Sequence, residues 1–349
     1  MTLTAADRAA GSLLGLALGD SLGFVVEAAS PAEAAEYVRA ELRRGLAGAR
    51  ARSPFVPGQY SDDTQLAREL LLSISESRGF DPAAFAVRLA RLFAEGRAVG
   101  AGPGCRGAAE RLAAGTPWER AGAPPPYAGN GAATRAGPLG ALYAGDAPRL
   151  VAIARDQALV THRDRRALAG AVAIAGAVAL AARPGPVVPW ALLEELRAWV
   201  LPIDESVADA VAGLEDWLEE GPARAAARLV RISGPGARHG AGVSSFVVPS
   251  VAWSLYAFLR SPDDGWETLC TAIEVGGDTD TMAAMAGAMS GARLGPECWP
   301  EPLLDRLTDA GVWGAGDLGR VTRDCAALER GGGGWGIGSA PFHPLPGFG

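Results

Sequence analysis

The stretch Ala167–Ala182 reads ALAGAVAIAGAVALAA and is the longest apolar run without a charged residue in the chain. A membrane-spanning helix needs about 20 apolar residues, whereas this run has 16 and consists mostly of small side chains. Alanine is also the strongest helix former. The run therefore predicts a helix buried in the core of a helical protein.

The segments on either side of this run carry the same helical signal. Good helix formers dominate them, and apolar residues recur at spacings of three and four residues. Only Gly242–Val248 offers a short β-branched run, and its pattern does not alternate. The predicted helices are Ala5–Leu18, Thr64–Ser77, Pro82–Glu95, Arg106–Ala114, Leu150–Val160, Arg165–Ala182, Pro189–Val200, Ser206–Glu219, Ala223–Ile232, Val248–Leu259, Trp266–Glu274, Thr281–Leu294 and Pro300–Ala310. We expect an all-α fold, a compact orthogonal bundle with its functional groups in loops and at helix N-termini.

The composition excludes several classes of protein. The 349 residues are 49% hydrophobic, which provides a large core and excludes wholesale disorder. The chain has no lysine, and its net charge of −7 makes nucleic acids and anionic membranes poor partners. The N-terminus lacks a signal-peptide pattern, and the four cysteines show no C-x-x-C spacing. We therefore expect a cytoplasmic protein with free thiols.

Oxygen-bearing side chains cluster at three places, Gly19–Gly23 with Glu27 following, Tyr60–Thr64 and Gly276–Thr281. Helix capping would explain any one cluster alone, since Ser, Thr and Asp are preferred at helix N-termini. Capping does not explain why adjacent carboxylates crowd together, because they repel each other. Hard oxygen ligands without His or Cys suit Mg²⁺ or Mn²⁺ rather than Zn²⁺, and four acids from two segments suit two ions.

Two further motifs have simpler explanations. Gly19–Gly23 fits G-x-S-x-G, but a nucleophile elbow follows a strand and this segment follows a predicted helix. Gly102–Gly107 fits G-x-G-x-x-G, again without a strand, and is interpreted as a loop before a helix. His239 and His343 have no partner at metal-ligand spacing, so surface or packing roles are expected.

Five motifs in order resemble those of the ADP-ribosylglycohydrolases, all-α enzymes with a dinuclear metal site related to dinitrogenase reductase-activating glycohydrolase. The resemblance runs from about Ala9 to about Gly295. The motifs are GSLLGLALGDSLGFVVE (Gly11–Glu27), SDDT (Ser61–Thr64), GNGAATR (Gly129–Arg135), Thr161-His162, and GGDTDTMAAMAGAMSGA (Gly276–Ala292).

The resemblance implies roles for particular residues. It places Glu27 on a mobile loop near the scissile bond, with Asp62, Asp63 and Asp280 as further candidates for catalysis. The metal ligands that it implies are Ser61, Asp62, Asp63, Asp278, Asp280 and Thr281. It also implies that the substrate is bound by Gly129, Asn130, Gly131 and His162. Ser61 stands where the family usually has Thr, which keeps the hydroxyl ligand, and Thr134 stands where Met is common.

The resemblance implies a divalent-metal-dependent hydrolase that cleaves the glycosidic bond between ADP-ribose and an acceptor. Two Mg²⁺ ions, with Mn²⁺ as the alternative, would hold the ribose and activate water. The acceptor stays open between an ADP-ribosylated protein, a modified nucleobase and a small ADP-ribose or nucleoside conjugate. A non-catalytic ADP-ribose-binding or structural protein is the alternative from another class. We expect residues 1–330 to form one domain of this family and residues 331–349 to form a Gly/Pro-rich tail.

Overall fold

The computed structural model describes residues 3–233 and 242–330, and helices make up most of its regular structure. The α-helices are α1 (Ala5–Phe24), α2 (Pro31–Ala40), α3 (Asp62–Ser77), α4 (Pro82–Ala94), α5 (Pro103–Ala113), α6 (Trp118–Ala121), α7 (Gly131–Thr134), α8 (Gly137–Leu142), α9 (Ala147–Leu159), α10 (Arg165–Ala181), α11 (Pro189–Val200), α12 (Glu205–Ala212), α13 (Leu214–Leu218), α14 (Pro222–Ile232), α15 (Val247–Arg260), α16 (Gly265–Ile273), α17 (Thr279–Leu294), α18 (Glu301–Leu304) and α19 (Ala315–Arg330). Two 3₁₀ turns, Leu42–Arg44 and Pro296–Cys298, complete them. In these two ranges β-pairing is confined to isolated bridges, which confirms the all-α expectation.

The central helix is α10, which contains the apolar run that the sequence singled out. All of its residues from Ala167 to Ala181 are buried, and it packs against α7, α8, α9, α11, α15 and α17. Within the described ranges, no helix has the length and apolar character that crossing a membrane requires. The prediction of a buried core helix is therefore confirmed.

Helices α1 and α17 cross at very short range because glycines face each other along both. Side chains at Gly11, Gly15 and Gly19 would collide with the backbone of α17, and one at Gly291 would collide with the backbone of α1. Helices can approach this closely only where the residues in contact lack a Cβ atom. This requirement explains why glycine occurs inside both helices despite its low helix propensity. The contact brings the C-terminal end of α1 to the N-terminal end of α17.

Several helix boundaries differ from the predicted ones. Helix α1 continues to Phe24 instead of ending at Leu18, so Gly19–Gly23 lies inside a helix rather than after one. Packing against α17 explains this extension. Helices α2, α6, α7, α8 and α19 were not predicted, although Ser30 and Glu33 form a capping box at the start of α2. The predicted helix Pro300–Ala310 is reduced to the single turn of α18. The predicted tail 331–349, His239 and His343 lie outside the described residues.

Candidate active site

A cavity of about 390 Å³ opens where α3, α5, α7 and α17 begin. Every predicted site residue except Ser61 lines it. These lining residues are Glu27, Asp62, Asp63, Gly129, Asn130, Gly131, His162, Asp278, Asp280 and Thr281. Ser61 is buried beside them as the N-cap of α3, where its hydroxyl accepts a hydrogen bond from the Asp63 N–H at 3.2 Å. Residues from five motifs that are far apart in the sequence therefore meet at one site.

Asp20 holds the first acidic motif in place. Its carboxylate is fully buried and accepts hydrogen bonds from the Ser61 N–H at 2.9 Å and the Thr64 N–H at 3.0 Å. The Thr64 hydroxyl donates to the same carboxylate at 2.6 Å. The sequence grouped Asp20 with the oxygen clusters, but the structure turns it away from the cavity. Its role is to join the C-terminal half of α1 to the start of α3, from which Asp62 and Asp63 project.

The loop before α17 holds the second acidic motif. Gly276 and Gly277 have φ angles of 74° and 84°, a left-handed conformation that favours glycine. Backbone hydrogen bonds tie this loop on both sides, from the Ala28 N–H to Gly277 at 2.7 Å and from the Asp278 N–H to Val243 at 2.8 Å. The loop is thus fixed against the chain that follows α1 and against the segment that precedes α15.

The two acidic motifs are joined directly by side chains. The Thr281 hydroxyl donates to Asp63 at 2.8 Å, and the Asn130 amide donates to Asp278 at 2.6 Å. Thr279 fixes the start of α17 by donating to the Gly23 carbonyl oxygen at 2.8 Å. The site is therefore one hydrogen-bonded unit built from α1, α3, α7 and α17.

The β-branched segment that the sequence singled out connects two of the site loops. Val243 pairs with Gly277 and Phe246 pairs with Gly129, each as an isolated bridge. Between these bridges, Ser244 and Ser245 line the cavity. The segment consequently serves as a brace between the Gly129–Gly131 loop and the Gly276–Thr281 loop, not as a strand of a sheet.

The four site carboxylates are held close together without a cationic partner. Among the described residues, no arginine lies within ion-pair distance of Asp62, Asp63, Asp278 or Asp280. Arg68, one turn along α3, is committed instead to Glu69 at 2.9 Å and Asp309 at 2.7 Å.

Burial and mutual repulsion raise the pKa values of these acids. The pKa of Asp62 rises to about 7, because it is buried and because the Asp20 and Asp278 carboxylates are near. The pKa values of Asp63 and Asp280 lie well above their usual range for the same two reasons, burial being the larger. A bound cation would relieve this repulsion and favour the ionised carboxylates.

The donor set at the cavity suits a hard divalent cation. Carboxylate oxygens of Glu27, Asp278 and Asp280 lie within 4.8 Å of one another, and the Thr281 hydroxyl lies 3.4 Å from Asp278 and 2.8 Å from Asp63. Closely spaced carboxylate and hydroxyl oxygens match the ligands that Mg²⁺ and Mn²⁺ prefer. The residues present therefore fit the expected kind of metal.

Glu27 lies at the mouth of the cavity, just after α1, with its side chain 26% exposed. It forms an ion pair with Arg52, whose guanidinium stacks over the Phe24 ring at 4.7 Å. Arg52 belongs to the long connection between α2 and α3, and sequence reasoning did not find it. No local pattern marks it, because its partner is 25 residues away.

The sequence also missed part of the wall opposite the acids. Tyr127 and Cys105 line the cavity, and the Tyr127 ring stacks on His162 with centroids 5.7 Å apart. Gly102–Gly107 was expected to be a loop, but α5 begins at Pro103, and Gly102 and Pro103 also line the cavity. Pro at the first helical position was a readable signal for this earlier helix start.

A sequence profile of the family described as ADP-ribosylglycohydrolase matches residues 1–333. The chain belongs to the ADP-ribosylglycohydrolase family. ADP-ribosylhydrolase ARH3 of Bos taurus is 30% identical over 331 residues, which cover 84% of this chain and 87% of that protein. ADP-ribosyl-(dinitrogen reductase) glycohydrolase of Rhodospirillum rubrum is 34% identical over 161 residues, covering 45% of this chain and 51% of that protein.

A solved structure described as an ADP-ribosylglycohydrolase-related protein complex has the same fold. Its TM-score is 0.69 at 28% identity, and the match covers 93% of this chain and 99% of that chain. Membership of the ADP-ribosylglycohydrolase family confirms the resemblance stated from the motifs, and with it the expectation of an ADP-ribosyl glycohydrolase.

Proposed function

We propose that the protein is a divalent-metal-dependent hydrolase that releases ADP-ribose from an acceptor attached through the distal ribose. The observation that carries the proposal is that four carboxylates without arginine partners and a glycine-rich loop line one cavity of about 390 Å³. A cavity of this size fits a nucleotide-sized ligand. The acceptor we favour is a side chain of an ADP-ribosylated protein, and the name of a relative, ADP-ribosyl-(dinitrogen reductase) glycohydrolase, supports this choice.

Two Mg²⁺ ions, or Mn²⁺ in their place, would be held by Ser61, Asp62, Asp63, Asp278, Asp280 and Thr281. When bound, they would supply a positive field that fixes the ribose hydroxyl groups and makes water a better nucleophile. Asp62, Asp63 and Asp280 would contribute to catalysis by orienting these groups. The support for this assignment is the crowding of the acids and their lack of arginine partners.

Glu27 would transfer the proton between the attacking water and the leaving group. Hydrolysis forms a bond between the water oxygen and the anomeric carbon, breaks the bond to the acceptor and leaves one proton of the water on that acceptor. A carboxylate can take the proton from water and return it to the leaving group. Glu27 suits this role because its carboxylate reaches toward Asp278 and Asp280 while Arg52 fixes its other side.

The Gly129–Gly131 loop would bind the diphosphate. Gly129 and Gly131 lack side chains, so the backbone N–H groups of this loop can approach phosphate oxygens closely. Asn130 is the residue that links the loop to the acidic motif, through its hydrogen bond to Asp278. His162 faces the same loop from the other side. The diphosphate would thereby hold the distal ribose over the carboxylates.

The test is release of ADP-ribose from a panel of conjugates in Mg²⁺, in Mn²⁺ and in EDTA. The panel contains arginine-linked and serine-linked ADP-ribose, an ADP-ribosylated nucleobase and an acyl ester. The proposal expects metal-dependent release from at least one member, and the responsive member identifies the acceptor. Release that is equally fast in EDTA would contradict the metal dependence.

The variant Asp278→Ala/Asp280→Ala serves as the inactive control, and Asp263→Asn as the matched control. Asp263 is a surface carboxylate, 73% exposed, so its loss should leave turnover unchanged. Metal-dependent binding of free ADP-ribose without release from any conjugate would instead favour a non-catalytic ADP-ribose binder.

A further inference from the structure

One nitrogen of the His162 ring faces the cavity without a hydrogen-bond partner among the described residues. His162 is only 2% exposed, yet it lines the cavity. Side chains added at Gly104 and Gly129 would lie 3.0 and 2.9 Å from its Nε2 atom, so Nε2 faces the phosphate-binding loop that we propose. Within residues 3–233 and 242–330, the hydrogen bonds of His162 leave Nε2 unpaired. A polar atom that faces a cavity without a partner is available to a ligand.

The other ring nitrogen is paired. Nδ1 lies 2.8 Å from the Thr161 hydroxyl oxygen, and either atom could in principle donate the hydrogen. Arg135 occupies one of the two lone pairs of this hydroxyl oxygen, because its Nη2 group donates to the oxygen at 2.7 Å and a guanidinium group can only donate.

The direction of the bond between Thr161 and His162 depends on which acceptor the Thr161 hydroxyl proton takes. Two acceptors are near, His162 Nδ1 at 2.8 Å and the Ala158 carbonyl oxygen at 3.5 Å. The second distance is at the limit of a hydrogen bond, so the proton points to Nδ1. If Nδ1 accepts, the neutral imidazole carries its single proton on Nε2.

Arg135 itself is held rigidly. It is 1% exposed, and it donates to the Gln157 side-chain oxygen at 2.6 Å and to the Gln157 carbonyl oxygen at 2.8 Å. A further bond reaches the Gly131 carbonyl oxygen at 3.3 Å. Its hydrogen-bond partners here are neutral, and its charge is permanent. The direction of the hydrogen bond to Thr161 is thus fixed by the fold.

We infer that Arg135 and Thr161 are positioning residues that lock His162 in the tautomer with the proton on Nε2. That N–H group then donates to a phosphate oxygen of the ADP-ribose diphosphate beside Gly129. The identity of the ligand rests on the proposed function, whereas the tautomer does not.

Two further features maintain this arrangement. Burial and, to a smaller extent, the nearby Arg135 charge lower the pKa of His162 to about 3, so the ring stays neutral near pH 7. The Tyr127 ring stacks on the imidazole at an interplanar angle of 23°, which opposes rotation of the ring.

The tautomer can be read directly from protein labelled with ¹⁵N-histidine. A long-range proton–nitrogen correlation spectrum distinguishes protonated from unprotonated ring nitrogens, and the chain has only three histidines. The variant His162→Gln identifies the His162 signals by deleting them. The inference expects an unprotonated Nδ1 and a protonated Nε2 in the ligand-free protein, and a shift of the Nε2 signals on addition of ADP-ribose. A proton on Nδ1 would overturn it, and so would an Nε2 signal that ADP-ribose at saturation does not move.

The variants Thr161→Val and Thr161→Ser test whether the Thr161 hydroxyl sets the His162 tautomer or whether the Thr161 side chain only fills space. Valine removes the hydroxyl at nearly constant shape and should mix the two tautomers, whereas serine should restore the wild-type spectrum. We expect Thr161→Val to weaken ADP-ribose binding by about tenfold. Adenosine, which lacks the diphosphate, should bind equally to both proteins.

An equal loss for both ligands, or no loss for ADP-ribose, would contradict the inference. The wild-type and Thr161→Ser spectra decide the tautomer even if Thr161→Val does not fold. Since those spectra need neither metal nor turnover, failure of this inference is distinguishable from failure of the proposed hydrolase activity.

Discussion

Glu27 is the single side chain on which the proposed acid–base step depends. Replacing it by Gln keeps its size and removes its ability to accept a proton. Proton transfer by a positioned side chain typically contributes 10²- to 10⁴-fold, so Glu27→Gln should lower kcat by about 100-fold or more. ADP-ribose binding should change little, because the Gly129 loop is untouched. Release assays and binding titrations measure the two effects, with the surface variant Glu36→Gln as control. Unchanged turnover would remove Glu27 from the mechanism.

His162 makes a separate prediction about pH. Its pKa is about 3 in the folded protein against 6.5 for an ordinary histidine, so the unfolded chain binds more protons between these values. The contribution of His162 to stability is therefore complete above pH 6.5 and is lost as the pH falls toward 3. Relative to His162→Gln, the wild-type protein should lose up to about 1.4 kcal/mol of unfolding free energy per pH unit in this window.

Urea unfolding in EDTA at pH 7 and pH 5 measures this difference between the two proteins. The raised pKa values of the site acids act with the opposite sign, because those groups bind protons more readily in the folded state. Both proteins share these acids, so they cancel in the comparison. An unchanged difference between pH 7 and pH 5 would mean that His162 is not held neutral by the fold.

At the scale of elements, Asp20 connects α1 to the start of α3. An asparagine there would turn an amide group toward N–H donors, leaving a buried donor unsatisfied at a cost of about 1–3 kcal/mol. Because Asp20 also orients the segment that carries Ser61 and Asp62, Asp20→Asn should weaken metal affinity by about 10- to 100-fold. The matched control is Asp81→Asn at the exposed N-cap of α4, where the two residues cap equally well.

Urea unfolding gives the stability of these two variants, and titration with Mn²⁺ gives the metal affinity. We expect Asp20→Asn to lose both stability and metal affinity. We expect Asp81→Asn to keep both. Full metal affinity in Asp20→Asn would show that the buried carboxylate caps α3 without supporting the site.

The contact between α1 and α17 depends on glycine. A methyl group at Gly291 would collide with the Gly11 carbonyl oxygen, and the backbone atoms there cannot move aside independently. Gly291→Ala should therefore cost about 1–3 kcal/mol of unfolding free energy. In α19, Gly316 has open space around it, so Gly316→Ala should be neutral or stabilising by up to about 1 kcal/mol. Equal stability of the two variants in urea would contradict this view of the helix contact.

For the whole molecule, the sequence predicted the fold class and the acidic motifs of the site. It did not predict which helices and loops bring these motifs together. Each acidic motif is local, and its crowded carboxylates were readable as a metal signal. The extension of α1 through Gly19–Gly23 was not readable, because it depends on contact with α17 more than 250 residues away. Tyr127 and Arg52 were missed for the same reason, since they lie in irregular connections whose partners are set only by the folded chain.

The number of Mn²⁺ ions bound at equilibrium per chain tests directly whether the acid cluster is a metal site. We expect two ions for the wild-type protein and for Asp263→Asn, and loss of both from Asp278→Ala/Asp280→Ala. Native mass spectrometry counts the ions, and titration in solution confirms the stoichiometry. Wild-type protein that binds no more Mn²⁺ than the double variant would contradict the central claim, that these buried carboxylates are held together to bind metal.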